Sequence, residues 1–439
     1  MITTQFNRRR FIGATSSAFA GLLASGCMTR GAATLAHYGP LVPDSRGMLD
    51  LPRGFSYRVV SSLGDAMHDG GTVPDKADGM GCFDLGNGDI ALVRNHELVP
   101  ADDAGGTIAH GFGTREGVIV PGGTTTLVLD AETLAVKRQH RSLGGTIRNC
   151  SGGTTPWGSW LTCEEAPTGP GQRYGDGLAR NHGWTFEVPA SAPGLVEAVP
   201  LKAMGRFNHE AACVDPATGI VYQTEDMDDS LFYRFIPAVR GDLAQGGRLQ
   251  ALALVDGVRD SRNWDAPGMM AGAKHRVRWI DLDDVESPKN DLRLRGAAQG
   301  GTLIARGEGL HMGRDELYFC STSGGAARLG QIFRLVPGRG LVDDTLELFF
   351  ESSSPEQFNY GDNLTVAPNG HLIVCEDQYT DVVDNHLKGI TPQGITYDLG
   401  RLTMQTELAG ACFSPDGRTL FVNAYSPTRT FAITGPWSA

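Results

Sequence analysis

Clustered positive charge is missing from this sequence once its N-terminus is passed. Acidic side chains outnumber lysine and arginine by 50 to 38, for a formal charge of −12. That balance, with no basic stripe, argues against nucleic acid as a partner and suits a protein that holds cations. Long apolar runs are absent too. Beyond the N-terminus no segment approaches the roughly 20 apolar residues that a membrane-spanning helix needs. Phosphate-loop motifs are also lacking. Gly144-Gly145, Gly152-Gly153 and Gly324-Gly325 stand in neither the G-x-x-x-x-G-K-S/T nor the G-x-G-x-x-G context, and so read as turns. Cysteine does not come in a pairable set. With Cys27 set aside, Cys82, Cys150, Cys163, Cys213, Cys320, Cys375 and Cys412 are odd in number and lie mostly in strand-like runs, the pattern of buried free thiols.

The basic exception is Asn7-Arg8-Arg9-Arg10-Phe11-Ile12-Gly13, followed by a small apolar stretch from Ala14 to Ala24. It reads as a twin-arginine export signal, with residues 1–36 as signal and linker. The partner implied is the twin-arginine translocation machinery, and the location periplasmic or secreted. Ala24-Ser25-Gly26-Cys27 is similar to a lipoprotein processing site, with Ala24 where leucine usually stands, which leaves a lipid anchor on Cys27 open. Export of an already folded chain agrees with free thiols.

Glycine is abundant at 59 residues, and short runs of Val, Leu, Phe and Tyr are punctuated by turn residues. Six stretches repeat one plan of strand, tight turn and second strand. They are Phe83–Glu97, Asn149–Glu165, Ala212–Asp226, Leu310–Thr322, Thr365–Asp377 and Ala411–Ala424. Further strands are expected at Phe55–Val60, Gly122–Asp130, Val136–Leu143, Trp184–Val188, Ala198–Met204, Ser230–Phe235, Gln331–Val336 and Leu346–Phe350. The recurrence predicts an all-β fold, a six-bladed β-propeller occupying residues 37–439 as one domain. An irregular insertion at about 240–300 is expected to cover one face. A pair of β-sandwiches is the alternative.

Aligned on their turns, the hairpins offer two matched polar positions. Just past the second strand stand Asn95, Glu164, Glu225, Ser321, Glu376 and Asn423, followed by His96, Glu165, Asp226, Thr322, Asp377 and Ala424. At the start of the first strand stand Cys150, Glu210, Glu308, Asp362 and Ala409, with Asp78 or Gly79 in the first repeat. Innermost propeller strands line a channel. Cys150, Glu164, Glu210, Glu225, Glu308, Asp362 and Glu376 are therefore expected to point at a common axis. Like charges at 4 Å repel by about 1 kcal/mol in water and several times more when shielded from it, so cations are expected among them. Oxygen ligands suit calcium, and a thiolate beside them suggests iron. Any one of these acids alone would read as a loop cap; the matched recurrence argues for metal.

Asn95-His96-Glu97 and Asn208-His209-Glu210 form a repeated N-H-E, in which His209 is expected to hold Glu210 in place rather than bind metal. Arg306-Gly307-Glu308-Gly309 sets a guanidinium beside a ring carboxylate. Structurally that is an ion pair; in a multi-cation site it is a bidentate grip on an anionic substrate.

Taken together, several pieces resemble the PhoX alkaline phosphatases, of which this chain looks like a short relative. They are the export signal, Arg94-Asn95-His96-Glu97, Asn149-Cys150 with T-P-W-G-S-W-L-T-C-E-E, Phe207-Asn208-His209-Glu210, Thr224-Glu225-Asp226, Arg306–Gly309 and Gly361-Asp362-Asn363-Leu364. The resemblance implies a six-bladed propeller that hydrolyses small-molecule phosphate esters at an iron and calcium cluster in its channel. It implies Cys150 as an iron ligand, Glu164, Glu210, Glu225, Glu308, Asp362 and Glu376 as metal ligands, and Arg306 as a phosphate clamp, with catalysis depending on Arg306 and Glu308. A monomer is expected. Two other classes stay open: a calcium-dependent lactonase or esterase propeller, and a non-catalytic, metal-stabilised binding propeller.

Overall fold

Each of the six repeats folds as an antiparallel hairpin, because a pair of apolar strands is interrupted by residues suited to a tight turn. Gly158 (φ 85°) and Gly370 (φ 82°) occupy turn positions in the left-handed region that side chains disfavour. The computed structural model describes residues 37–378 and 380–437. The expected export signal and Cys27 lie outside the described residues. In chain order the hairpins are Ala77–Asp84 with Asp89–His96, Asn149–Thr154 with Ser159–Glu164, His209–Val214 with Val221–Glu225, Gly307–Met312 with Leu317–Ser321, Gly361–Val366 with Leu372–Glu376, and Leu408–Phe413 with Thr419–Ala424.

Every first strand carries a bulge at the same place. In the third hairpin His209 pairs with Glu225 and Ala212 with Gln223, so Glu210 and Ala211 together oppose Thr224. The same two-against-one step recurs in the other five hairpins. A bulge bends its strand and re-aims a side chain.

The first strands of successive hairpins pack side by side, and the sixth returns to the first. The arrangement is all-β and propeller-like. The ring is closed by a strand from the far end of the chain: Ser56–Ser62 pairs with Arg429–Thr434 to complete the sixth hairpin's sheet. Fully buried Arg94 spans the seam, donating to Thr430 Oγ1 (2.6 Å), Ser61 Oγ (3.1 Å) and Thr125 Oγ1 (3.1 Å). The apolar core lies between neighbouring sheets; Leu161, Phe207, Tyr233 and Leu249, for example, share one cluster.

Hydrogen bonding does not divide the strands into six separate blades. The large sheets have six, three, nine, four and four strands. The nine-stranded one arises because Lys274–Asp281 pairs on one side with Asp242–Leu254 and on the other with Thr345–Glu351. The stretch at 240–300 is thus mostly ordered strand that joins two sheets, with one short helix at Leu292–Ala298, rather than an irregular cover. Ala198–Met204 forms no strand; its end is the 3-10 turn Lys202–Met204, which leaves the second hairpin in a three-stranded sheet. Cys82, Cys150, Cys163, Cys213, Cys320, Cys375 and Cys412 are all free.

Candidate metal centre

The shared bulge and strand ends give three equivalent positions per repeat. The first is the leading bulge residue: Asp78, Cys150, Glu210, Glu308, Asp362 and, in the sixth repeat, Gly410. A side chain at Gly410 would run into the Asp78 carbonyl, 2.2 Å from where its Cβ would stand. The second position is the residue just beyond the second strand, and the third is the one that receives its backbone N–H. Glu97 donates to Lys76 O, Glu165 to Arg148 O, Asp226 to Asn208 O, Thr322 to Arg306 O, Asp377 to Tyr360 O and Tyr425 to Glu407 O, all at 2.8–3.1 Å. Arg148 and Arg306 are therefore equivalent residues, and both take φ 48°.

These positions surround a cavity of about 70 Å³ lined by nine carboxylates, Cys150, Arg148 and Arg306. Arg148 binds Glu97 Oε1 (2.6 Å) and Glu165 Oε2 (2.5 Å). Arg306 binds Asp226 through Nε (2.7 Å) and Nη2 (3.0 Å), and Glu308 through Nη2 (2.8 Å). Tyr425 donates to Glu97 Oε2 (2.6 Å), and the Cys150 thiol lies 3.5 Å from Asp78 Oδ2. Two guanidiniums cannot balance nine carboxylates.

The imbalance shows in the acids themselves. Burial, compounded by repulsion from neighbouring carboxylates, pushes Asp78, Glu210, Glu308, Asp362 and Glu407 well above the ordinary carboxylate range. Burial raises Glu165 as well, against the pull of Arg148, and raises the Cys150 thiol. Both oxygens of fully buried Glu210, and Asp78 Oδ1, have no hydrogen-bond partner among the described residues. Orphaned buried carboxylate oxygens are expensive unless a cation takes them. Three sets, Asp78–Glu97–Cys150, Cys150–Glu165–Glu210 and Glu210–Glu308–Asp362, each offer ligand atoms within 4.8 Å of one another. This donor set fits several cations.

The structure brings Cys150, Glu210, Glu308, Asp362 and Arg306 together around one cavity. It places Glu164, Glu225 and Glu376 elsewhere. Each is the last residue of its strand and faces away from the axis, while the next residue, Glu165, Asp226 or Asp377, faces it; successive strand side chains alternate. Glu164 accepts from Ile147 N, His182 Nδ1, Gly183 N and Trp184 N at 2.6–3.1 Å. Glu225 accepts from Tyr233 Oη (2.6 Å), and burial raises it to about 7. Glu376 accepts from Asn359 N (2.9 Å) and from His386 N (3.2 Å). Glu164 and Glu376 pin loops beside their strands, and Glu225 ties its strand to the next, Tyr233–Val239. His209 bonds Gly205 O and stacks on Phe207, and His96 bonds Asp75 O and Thr125 Oγ1, so neither ring enters the cavity. Sequence reasoning missed Glu97, Glu407 and Arg148. The one available signal was spacing: Arg148 precedes Cys150 by the same step as Arg306 precedes Glu308.

Comparison with known proteins follows the same line. A family model described as alkaline phosphatase PhoX matches residues 36–133 and 121–428. No curated protein matches the chain significantly. Among solved structures, Pseudomonas fluorescens PhoX in complex with vanadate, a transition state analogue, is similar over 90% of this chain and 97% of its own, at 19% identity and a TM-score of 0.70. A Xanthomonas campestris gluconolactonase aligns over 91% of this chain and 98% of its own, at 14% identity and a TM-score of 0.43. That second likeness is too slight to argue from.

Proposed function

The chain belongs to the PhoX family of alkaline phosphatases, which are hydrolases, and on that premise we propose that it hydrolyses phosphomonoesters at an iron and calcium cluster in the central cavity. The observation that carries the reading is Glu210, buried with neither oxygen partnered among the described residues, between Cys150 and the pair Glu308 and Asp362. Cys150, with Asp78 and Glu97, offers the softer donor set that suits iron; Glu210, Glu308 and Asp362 offer only oxygen, which suits calcium. Bound cations would neutralise the phosphoryl charge and make water a better nucleophile at mild pH.

The chain's own residues then have distinct tasks. Arg306 and Arg148 are part-exposed, with side chains 21% and 26% accessible, and are placed to orient an anionic ester arriving from solvent. Arg306, aimed by its ion pairs with Asp226 and Glu308, would hold the equatorial phosphoryl oxygens as charge builds on them. Asp226 and Glu97 keep the two guanidiniums aimed until substrate arrives. Glu308 would hold a cation and steady Arg306 at once.

We read the nine-stranded sheet as two joined blades, which makes the propeller six-bladed around six hairpins. Export by the twin-arginine machinery, a periplasmic or secreted location and a monomeric state belong to the same proposal. The test is turnover of p-nitrophenyl phosphate by protein produced with iron and calcium. Arg306→Ala should lower kcat/KM by about 10²-fold while leaving metal content intact. Metal-loaded wild type without activity on several phosphomonoesters would contradict the proposal.

A further inference from the structure

Beside the central cavity lies a second hollow, of about 380 Å³, that shares Arg148 and Glu165 with it. Its remaining walls come from Asn208 and from two loops, residues 166–174 and 288–290. Buried Arg206 ties the first loop at Thr168 (3.0 Å) to Ser287 (3.2 Å), the residue before the second loop, and to His182 (2.6 Å), donating to the carbonyl of each. Both loops are therefore anchored to one buried side chain.

Its charge is the reverse of the cavity's. Glu165 is the one carboxylate among the described lining residues, and Arg148 already pairs with it. Arg173 and Lys289 stand exposed on the rim. Arg173 is held by Tyr174, lying 4.7 Å over its ring and donating to its hydroxyl (2.8 Å). An ester whose phosphoryl group sits against Arg148 in the cavity has this hollow as its adjoining space. We propose that the hollow receives the leaving group and selects phosphomonoesters whose alcohol carries a negative charge of its own, a carboxylate or a second phosphate. This rests on the phosphomonoesterase reading and names its substrate class.

The test compares pairs that differ in one anionic group: 3-phosphoglycerate with glycerol 3-phosphate for a carboxylate, and fructose 1,6-bisphosphate with fructose 6-phosphate for a phosphate, with release from the 6-position measured in both members of the second pair. Metal-loaded wild type should favour the more anionic member of at least one pair by about 5-fold in kcat/KM, the scale of two exposed charge contacts. The ratio should shrink as salt is raised. In the double variant Arg173→Gln, Lys289→Gln it should fall toward one, with melting temperature reporting that the fold is kept. Equal kcat/KM within both pairs, or a preference that survives both salt and the double variant, would overturn this inference alone. Inactivity of the metal-loaded protein on all four esters would overturn the phosphomonoesterase reading and this inference with it.

Discussion

The two ends of the channel are built from the same six strands and share almost nothing chemically. At one end the bulge residues bring Cys150, Glu210, Glu308 and Asp362 around about 70 Å³. A little further along the same strands, the wall of a roomier hollow of about 310 Å³ includes Gly152, Gly153, Ala212, Gly309, Leu310 and Ala411, with no carboxylate among the described residues that line it. The reason is how closely the strands approach. A Cβ on Gly153 would stand 1.8 Å from Ala212 O, and one on Gly309 would stand 2.6 Å from Asn363 Cα. Close approach of neighbouring strands leaves little room for side chains there, and none of the nine carboxylates of the smaller cavity lines the larger hollow. Volume alone would have misplaced the site.

Breaking the acidic end should have the largest effect. Glu210→Gln keeps the shape and removes the charge, so bound calcium should fall in elemental analysis and p-nitrophenyl phosphate turnover should drop to background. Retained metal with retained turnover would separate Glu210 from the site.

Removing metal should sharpen the contrast through pH. In the metal-free protein the cavity acids, Glu210, Glu308, Asp362 and Asp78, have pKa values raised by folding. Between the unfolded value near 4 and the raised folded value, the native state binds more protons than the unfolded one. Stability must therefore fall as pH rises through that window. Chelated protein should melt at a lower temperature at pH 8 than at pH 5, and calcium with iron should reverse most of the loss at pH 8. A metal-free protein equally stable at both would count against the charge account.

At the other end, Leu310→Ala should cost about 2–5 kcal/mol of stability, as buried leucine truncations do. Leu310 is 5% exposed in a cluster with Phe319 and Leu317. Activity and metal content per folded molecule should stay unchanged; a selective loss of metal would mean that the two ends are coupled.

Much of this was legible from the sequence, and the misses have physical causes. The hairpins could be read because each turn falls between apolar strands, and the outer strands Gly122–Asp130 and Gln331–Val336 stand where the pattern puts them. Cys150, Glu210, Glu308 and Asp362 could be read because they keep one distance from their turns. Choosing Glu164 over Glu165, Glu225 over Asp226 and Glu376 over Asp377 needed the face of the last strand residue. Two adjacent acids at a strand end do not reveal which one turns inward. Arg148 escaped because its aim is set by ion pairs with Glu97, far away in the chain, and with Glu165, which only the fold brings together. The joining of two sheets through Lys274–Asp281 depends on pairing with Thr345–Glu351, far along the chain, and leaves no local mark.

The central claim is that one end of the channel holds iron and calcium together. Anomalous diffraction at the iron edge, from crystals of protein purified without chelator, tests it directly. The account predicts an iron peak within bonding distance of Cys150 Sγ and calcium among Glu210, Glu308 and Asp362. A metal-free cavity in protein that still turns over phosphomonoesters, or iron bound away from Cys150, would contradict it.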